Sequence, residues 1–308
     1  MLSVLEIVLP VFMIIGLGYA IRRFGLVDKV FFEQVNSLIF YVCLPLLLFY
    51  KIGTADFSSS FNPALVLATS CSVATCFFVA YFIGLFFGFS PPAHGVFCQG
   101  SFRGNLAYIG LAIVYNAYGN SGLTRAGVLL GFLVPVLNFF AILALTLPHR
   151  GQHNRKGIIR DIILNPLILA SLAGIAWSYF EIPMPIILDR TLAIATGMTL
   201  PLALLAIGDS FSLKKIKGDI NKASLATALK LLLLPLLTVV YMKLLRISGI
   251  DFAIGLLMAG APTAVATFVM AGKMGGDEEL AGTIVIMATG FSALSYTLLL
   301  LLLQFMGF

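Results

Sequence analysis

The chain has 308 residues, of which 60% are hydrophobic and only 10% are charged, and its mean hydropathy is +1.05. A soluble protein of this length needs polar and charged groups over its exterior, so the composition excludes a soluble globular domain. The net charge of +6 does not indicate nucleic-acid binding, because the basic residues lie mainly in short loops between apolar runs. We therefore expect an all-α integral membrane protein that has the lipid bilayer, and no nucleic acid, as its partner.

Ten apolar segments follow one another along the chain, and each is close to the roughly 20 residues that a helix needs to cross a bilayer. They are predicted at residues 1–21, 31–51, 63–87, 94–118, 124–147, 160–180, 184–208, 223–245, 251–272 and 281–305. The first segment contains Glu6 and has no basic stretch before it, which indicates a permanent span rather than a cleaved signal peptide. The four cysteines form no CxxC pair, which predicts buried thiols and no metal site.

The distribution of Lys and Arg between the loops predicts how the chain is oriented. Loops reached after odd-numbered spans hold twelve of the nineteen basic residues, and the opposite side holds five. The positive-inside rule then places both termini outside the cytoplasm and a basic linker at 148–160 inside it, in a multi-pass protein of the inner (plasma) membrane. The remaining two basic residues, Arg103 and Lys230, lie within spans. Lys230 is near enough to a cytoplasmic end to be expected to snorkel to the surface.

An internal repeat relates the two halves of the chain. The stretch LPLLLF at 44–49 resembles LPLALL at 200–205, which places Pro45 and Pro201 156 residues apart. The same offset superposes spans 1–5, within residues 1–147, on spans 6–10, within 161–308. Because five is an odd number, the second unit must be inverted in the membrane relative to the first, as in many secondary transporters.

The fourth span of each unit is predicted to be interrupted near its centre. The first has Arg103, Gly104 and Asn105 in a row, and the second has the sequence GAPT, which includes Pro262 and Thr263. Proline removes a backbone donor and glycine loosens a helix. In a membrane, unpaired backbone groups persist only against protein or a wet cavity. Matching breaks at one depth therefore predict a substrate site where spans 4 and 9 cross.

Motifs spread over the whole chain resemble the auxin efflux carrier family, which includes bacterial malonate-type carriers and the plant PIN proteins. The motifs are VLPVFMIIGLGYAIRRFGLVD, NSLIFYVCLPLLLF, GNLAYIGLAIVYNAYG, NPLILASLAGI, PLALLAIG and APTAVATFVMAGKMGGDEELA. The resemblance implies a fold like that of the bile-acid sodium symporters, with ten transmembrane helices as two inverted five-helix repeats and with broken, crossing helices 4 and 9.

The resemblance also implies that the spans form two groups with different roles. Spans 1, 2, 6 and 7 would form a panel through which homodimers assemble, and spans 3–5 and 8–10 would form a moving core. Many family members have proline where this chain has Ala112. The first crossover is therefore expected to be loosened by Gly104 and Gly110 instead.

Arg103 is the candidate with the clearest chemistry, because a guanidinium at mid-membrane can bind a substrate carboxylate bidentately. Alternatively, it caps carbonyls of the broken helix or pairs with an acidic side chain. Asn105 either contacts substrate or holds the crossover open. Backbone N–H groups at the start of the second half-helix suit an anion, although Thr263 and Thr267 can also bond to their own helix. The predicted substrate-binding residues are Arg103, Gly104, Asn105, Pro262, Thr263 and Thr267, with Gly110, Pro45 and Pro201 as crossover or hinge positions.

The remaining polar residues indicate no enzyme. His94, His149 and His153 are predicted in loops, and neither an HExxH motif nor a Walker loop occurs. Asn36 and Asn138 are expected to form helix–helix hydrogen bonds, which are a commoner role for such residues than ligand contacts. We expect a secondary carrier, working as an efflux carrier, for small organic anions such as mono- or dicarboxylates. It needs no cofactor, and either H⁺ or Na⁺ is open as the coupling ion. The alternative is a membrane receptor that senses a small organic acid without transporting it.

Overall fold

The structure, a computed structural model, describes residues 2–55, 61–148, 164–210 and 218–307, and within these ranges every regular element is a helix. Seven of the described helices are long and apolar enough to cross a membrane. The chain is therefore an all-helical integral membrane protein, as its composition predicts. Apart from Pro148, the predicted basic linker lies outside the described residues, as do several of the basic residues counted for orientation.

Twelve helices are described, and their caps follow from the sequence. The first half of the chain contains α1 (Leu2–Arg23), α2 (Lys29–Gly53), α3 (Pro63–Phe86), α4 (Pro91–Phe102) and α5 (Leu106–Thr146). The second half contains α6 (Pro166–Tyr179), α7 (Ile186–Gly197), α8 (Thr199–Ser210), α9 (Ile220–Leu244), α10 (Gly249–Ala259), α11 (Ala266–Lys273) and α12 (Glu278–Phe305). Asp28, Asn62, Asn165, Asp219 and Asp277 precede helices and accept hydrogen bonds from backbone N–H groups of the first turn.

Turns at corresponding positions in the two halves share an unusual backbone conformation. Gly119 interrupts α5 with φ 61° and ψ −150°, and Gly275, 156 residues later, has φ 69° just before α12. Gly25 (φ 72°) and Glu181 (φ 51°) have the same spacing. Glycine adopts positive φ without a steric penalty. At Gly119 it lets α5 change direction, so that the second half of predicted span 4 passes into span 5.

Glycine also sets the closest helix contacts. α1 packs along α8, and the second half of α2 packs along α6, more extensively than any other pair of described helices. A Cβ added at Gly18 would overlap the backbone of Leu205 in α8, and one at Gly174 would lie 3.1 Å from the carbonyl oxygen of Phe49 in α2. Small residues allow such approach between membrane helices. Gly18 and Gly174 are 156 residues apart, as are Phe49 and Leu205.

The two prolines predicted as hinges both follow irregular helical turns. Pro45 comes after the π-helical turn Ile39–Cys43 in α2, and Pro201 comes after the interruption between α7 and α8. Because proline has no N–H to donate, it fits where the preceding turn is already irregular. Thr199 Oγ1 donates to the carbonyl oxygen of Cys43 at 3.3 Å, so the two irregular points lie against each other. Their movement as hinges stays a prediction.

Two residues predicted near the membrane surface are buried instead. His94 lies in the first turns of α4, only 3% exposed, with Nε2 2.9 Å from the carbonyl oxygen of Tyr81. The prediction that Lys230 snorkels is wrong, because its side chain is fully buried in the π-helical turn Leu229–Leu233 of α9. α3, α4 and α12 pack around that turn, so the lysine stem runs into protein rather than along lipid.

Candidate substrate site at the helix crossing

Besides the irregular points at Gly119 and between α7 and α8, two helical segments of the described structure are interrupted at the positions that the sequence indicates. α4 stops at Phe102, and residues 103–105 are not helical before the π-helical turn Leu106–Gly110 opens α5. α10 stops at Ala259, and α11 starts at Ala266 after an irregular stretch. Each interruption frees backbone N–H and C=O groups from their intrahelical partners.

The two interrupted segments satisfy each other's backbone groups. The Asn105 N–H donates to the carbonyl oxygen of Pro262 at 2.7 Å, and the Ala264 N–H donates to the carbonyl oxygen of Arg103 at 2.9 Å. These bonds form an isolated antiparallel bridge between the segments. Proline at 262 suits this arrangement, because the segment then has one donor fewer to satisfy. The crossing thereby meets the requirement for broken backbone inside a membrane.

Close approach at the crossing depends on its two glycines. A Cβ at Gly104 would lie 3.0 Å from Leu106 Cδ2, 3.3 Å from Lys230 Cε and 3.4 Å from the carbonyl oxygen of Ala261. A Cβ at Gly110 would lie 3.6 Å from Ala261 Cβ. Gly104 lies in the break itself, where larger side chains have no space, and Gly110 ends the π-helical turn that follows it.

Arg103 has neutral partners. The guanidinium Nη2 donates to Asn138 Oδ1 of α5 at 2.9 Å, and Nη1 lies 2.7 Å from Met270 Sδ of α11. Among the described residues no acidic side chain forms an ion pair with it. Within the described ranges, the guanidinium contacts an amide oxygen and a sulfur rather than a carboxylate or a helix carbonyl. Thioether sulfur is a weak acceptor, so the positive charge is left available to an anion.

Asn138 and Gln99 join Arg103 at the site. Asn138 Oδ1 accepts its hydrogen bond from Arg103 in the interrupted segment, rather than from a residue of another helix as predicted. Gln99 is absent from the sequence prediction; its Nε2 lies 3.4 Å from Met270 Sδ, and its buried Oε1 has no hydrogen-bond partner within the described ranges. The signal that could have found it is spacing, because Gln99 precedes Arg103 by four residues and so lies on the same helix face.

The polar residues at the two breaks differ in whether their side chains have hydrogen-bond partners. Thr263 Oγ1 donates to the carbonyl oxygen of Gly100 at 2.8 Å, across the crossing and not within its own helix. Thr267 Oγ1 is buried without a partner in the described part of the chain. The Asn105 amide side chain, in a residue 8% exposed, also has no described hydrogen-bond partner. Asn105 and Thr267 therefore retain hydrogen-bonding capacity, whereas Thr263 holds the crossing together.

Lys230 lies at the same crossing. Its Nζ donates to the carbonyl oxygen of Ala259, the last residue of α10, at 2.8 Å. It lines a small, mainly apolar cavity of about 20 Å³ together with Gly104, Met258 and Thr238, which is room for about one water molecule. Arg103 does not line this cavity. The sequence shows that Lys230 lies within a span, about two turns from its end, but hydropathy cannot show which way a side chain points.

Two interrupted helical segments that pair inside a membrane protein, beside a cation with no acidic partner among the described residues, are typical of membrane transport proteins. The sequence model of the family described as "Membrane transport protein" matches residues 3–157 and 154–300. The chain therefore belongs to this family, that of the auxin efflux carriers, which the sequence motifs indicate. It is a family of transporters and not of enzymes.

Relatives of the chain are similar over nearly its whole length. A Rhizobium meliloti protein named "Putative malonate transporter" is 26% identical over 317 residues, which cover 99% of this chain and 97% of that protein. An uncharacterized transporter of Methanothermobacter thermautotrophicus is 23% identical, with 95% of this chain and 96% of that protein covered. One from Methanocaldococcus jannaschii is also 23% identical, with 94% and 96% covered.

Proposed function

We propose that this protein is a secondary carrier that moves small organic anions, such as mono- or dicarboxylates, by alternating access. The observation that carries the proposal is Arg103, whose guanidinium at the helix crossing contacts, among the described residues, the neutral side chains of Asn138 and Met270 and no carboxylate. A carboxylate suits this cation because it accepts two parallel hydrogen bonds from a guanidinium. The name of the Rhizobium meliloti relative, "Putative malonate transporter", supports an anionic substrate.

The carrier is built from two inverted five-helix repeats with ten crossings of the membrane. Residues 1–147 form the first repeat, residues 161–308 form the second, and 148–160 joins them on the cytoplasmic side, with both termini outside. The turns at Gly119 and Gly275 support this arrangement, as does the 156-residue spacing shared by the glycine contacts of α1 with α8 and of α6 with α2. With five crossings each, the two units point in opposite directions.

The transport step is a movement of the core, α3–α5 and α9–α12, against a panel of α1, α2 and α6–α8. The extensive packing of α1 on α8 and of α2 on α6 supports a rigid panel, through which a homodimer forms. Mid-membrane arginine costs about 3 kcal/mol or more, and a bound carboxylate offsets part of that cost. An inside-negative potential drives an anion outward by about 2.3 kcal/mol per charge per 100 mV, so the net direction is efflux.

Counterflow in liposomes tests the proposal. Purified protein is reconstituted with an unlabelled anion inside, and uptake of radiolabelled malonate, malate, lactate or indole acetate is measured. We expect saturable counterflow with at least one anion and a loss of about 100-fold or more in Arg103→Ala, because a bidentate, charge-assisted contact is lost. Arg23→Ala, which removes an exposed arginine at the end of α1, is the matched control and should leave flux unchanged.

The results also separate the carrier from the alternative class. Saturable binding of an anion with no counterflow would favour a membrane receptor that senses organic acids. Undiminished flux in Arg103→Ala would remove the carboxylate-binding role of the guanidinium. Repeating the counterflow under imposed sodium and pH gradients identifies the coupling ion, since only the coupled gradient should drive accumulation.

A further inference from the structure

Lys230 is the one fully buried ionic side chain in the described part of the chain. Of the described Lys, Arg, Asp and Glu residues, it alone has an exposure of 0%. Removing an ammonium from water is expensive unless a partner compensates the charge. No described carboxylate pairs with it, so its partner must be of another kind.

The partner is the broken end of α10. Lys230 Nζ donates at 2.8 Å to the carbonyl oxygen of Ala259, where α10 stops. The last carbonyl groups of a helix lack intrahelical donors and carry the negative end of the helix dipole. A cation at that position is favourable, and α10 is interrupted inside the protein, where water does not screen the interaction.

The lysine stem also touches the other break. A Cβ at Gly104 would be 3.3 Å from Lys230 Cε and 3.4 Å from the carbonyl oxygen of Ala261. Lys230 therefore reaches from α9 to both interrupted segments at the point where they pair. Arg103, next to Gly104, directs its guanidinium elsewhere, to Asn138 and Met270.

We propose that Lys230 is a positioning residue for the substrate site, in that its ammonium fixes the broken end of α10 against Gly104 and so holds the crossing that presents Arg103. This inference rests on the proposed carrier function. It gives the two mid-membrane cations different roles, since the protein itself uses the charge of Lys230, whereas the charge of Arg103 is left for the substrate. Lys230 does not touch the substrate.

The kinetic test compares three substitutions at Lys230 in the reconstituted carrier. Lys230→Met keeps the stem and removes the charge, and we expect the KM for the transported anion to rise about tenfold or more, as for loss of one charge-assisted hydrogen bond. Lys230→Arg should restore the KM to within about threefold of the wild-type value, because the charge is kept. Lys230→Gln keeps a donor without the charge, and its KM should stay close to that of Lys230→Met.

Two comparisons separate positioning from a general loss of fold. Lys243→Met, at an exposed lysine on the same helix, should leave the KM unchanged. If Lys230→Met does not fold, Lys230→Gln takes its place against Lys230→Arg. A raised KM in the uncharged variants that arginine does not restore would overturn the role of the charge.

A second readout needs no transport. Gly110 ends the π-helical turn after the first break, and Ala261 lies in the second break. A Cβ at Gly110 would lie 3.6 Å from Ala261 Cβ, within the usual disulfide range of about 3.5–4.5 Å. The pair Gly110→Cys and Ala261→Cys should cross-link on oxidation, detected by mass spectrometry of the linked peptides. The yield should fall in a Lys230→Met background and persist in a Lys230→Arg background.

Together, the kinetic and cross-linking readouts distinguish failure of the carrier proposal from failure of the positioning proposal. If the wild-type protein moves no anion, the carrier proposal fails, while the cross-link still reports whether Lys230 holds the crossing. If the wild-type protein transports and Lys230→Met leaves both the KM and the cross-linking yield unchanged, the carrier stands and the positioning role is overturned.

Discussion

The two interruptions pair with each other through their backbones but differ in how their charges are compensated. The first, at 103–105, is short and carries its own cation, Arg103, which meets only neutral side chains. The second, between α10 and α11, contains no ionisable side chain, and its charge compensation comes from Lys230 on α9. Within the described residues, the protein itself thus compensates the charge of one break and leaves the charge of the other without an acidic partner.

This difference has a functional consequence. A break whose charges are fully compensated can act as a fixed support, whereas a break with an unpaired cation lowers its free energy by binding an anion. On the proposed function, we therefore expect substrate recognition to be concentrated in the first break, even though both segments meet at one bridge. Substitutions that change the charge balance at either break should change the transport rate. The size of each change tests whether the two breaks have different roles.

The largest effect is expected at Gly104, where both breaks meet. Gly104→Val places branched carbon atoms where even one Cβ would be 3.0–3.4 Å from neighbouring atoms. Overpacking of this kind costs about 1–3 kcal/mol and should separate the two segments, so we expect loss of counterflow and a lower melting temperature in detergent. Gly16→Val is the control, because a Cβ there would meet nothing within 4 Å. Normal counterflow in Gly104→Val would contradict the close crossing.

The next effect tests whether an unpaired charge is what distinguishes the first break. Asn138→Asp puts a carboxylate in place of the amide that accepts from Arg103 at 2.9 Å, so the protein itself would compensate the cation. A substrate then has to displace a buried ion pair, and the KM should rise by about tenfold or more. Asn138→Leu removes the hydrogen bond without adding charge and should have a smaller effect. If the KM of Asn138→Asp is no higher than that of Asn138→Leu, the unpaired charge of Arg103 does not determine substrate binding.

A smaller effect is expected where the second break is fastened to α4. Thr263→Val removes the hydrogen bond from Thr263 Oγ1 to the Gly100 carbonyl oxygen, 2.8 Å long, and leaves that acceptor without this donor. The expected loss of unfolding free energy is about 1–2 kcal/mol, measured by thermal unfolding in detergent. Thr263→Ser keeps the hydroxyl and serves as the control. Because the bond lies away from the Arg103 guanidinium, the KM should change less than in Asn138→Asp.

The sequence predicts the breaks but not the contacts that give them different roles. Arg103, Gly104 and Asn105 stand out because polar and flexible residues are unfavourable in an apolar span, and Pro262 stands out because it cannot complete a helix. These are local properties of a single segment. That Arg103 meets Asn138 and Met270 depends on how three helices face one another, which no local property fixes.

The inward orientation of the Lys230 side chain could not be predicted from the sequence either. A lysine about two turns inside a span can snorkel if its face meets lipid, and hydropathy contains no information about that face. Only the packing of α3, α4 and α12 around the π-helical turn decides that the ammonium points inward. The side chain of Gln99 is likewise recognisable only by its four-residue spacing from Arg103, which acquires meaning once α4 is known to end at Phe102.

The smallest effect is expected at the exposed end of α9, where Lys222 provides a contrast with Lys230. Lys222 Nζ lies 2.8 Å from Asp219 Oδ2. Its hydrogen bond to the Asp219 side chain, more than any other interaction, holds the pKa of this helix-capping carboxyl below its ordinary value of 3.8. A lowered pKa in the folded state stabilises the protein above the unfolded-state pKa, and the stabilisation is lost as pH falls through the lower folded-state value.

Asp219→Asn should therefore remove a pH-dependent stabilisation that the wild-type protein has at pH 5 and loses progressively below about pH 4. The charge-dependent part should stay below about 1 kcal/mol, because both side chains are partly exposed and solvent screens the pair. Melting temperatures of the two proteins between pH 3 and pH 5, about the range of an unperturbed carboxyl group, should converge as the pH falls. A difference that instead grew towards low pH would mean that the neutral carboxyl, not the ion pair, stabilises this helix end.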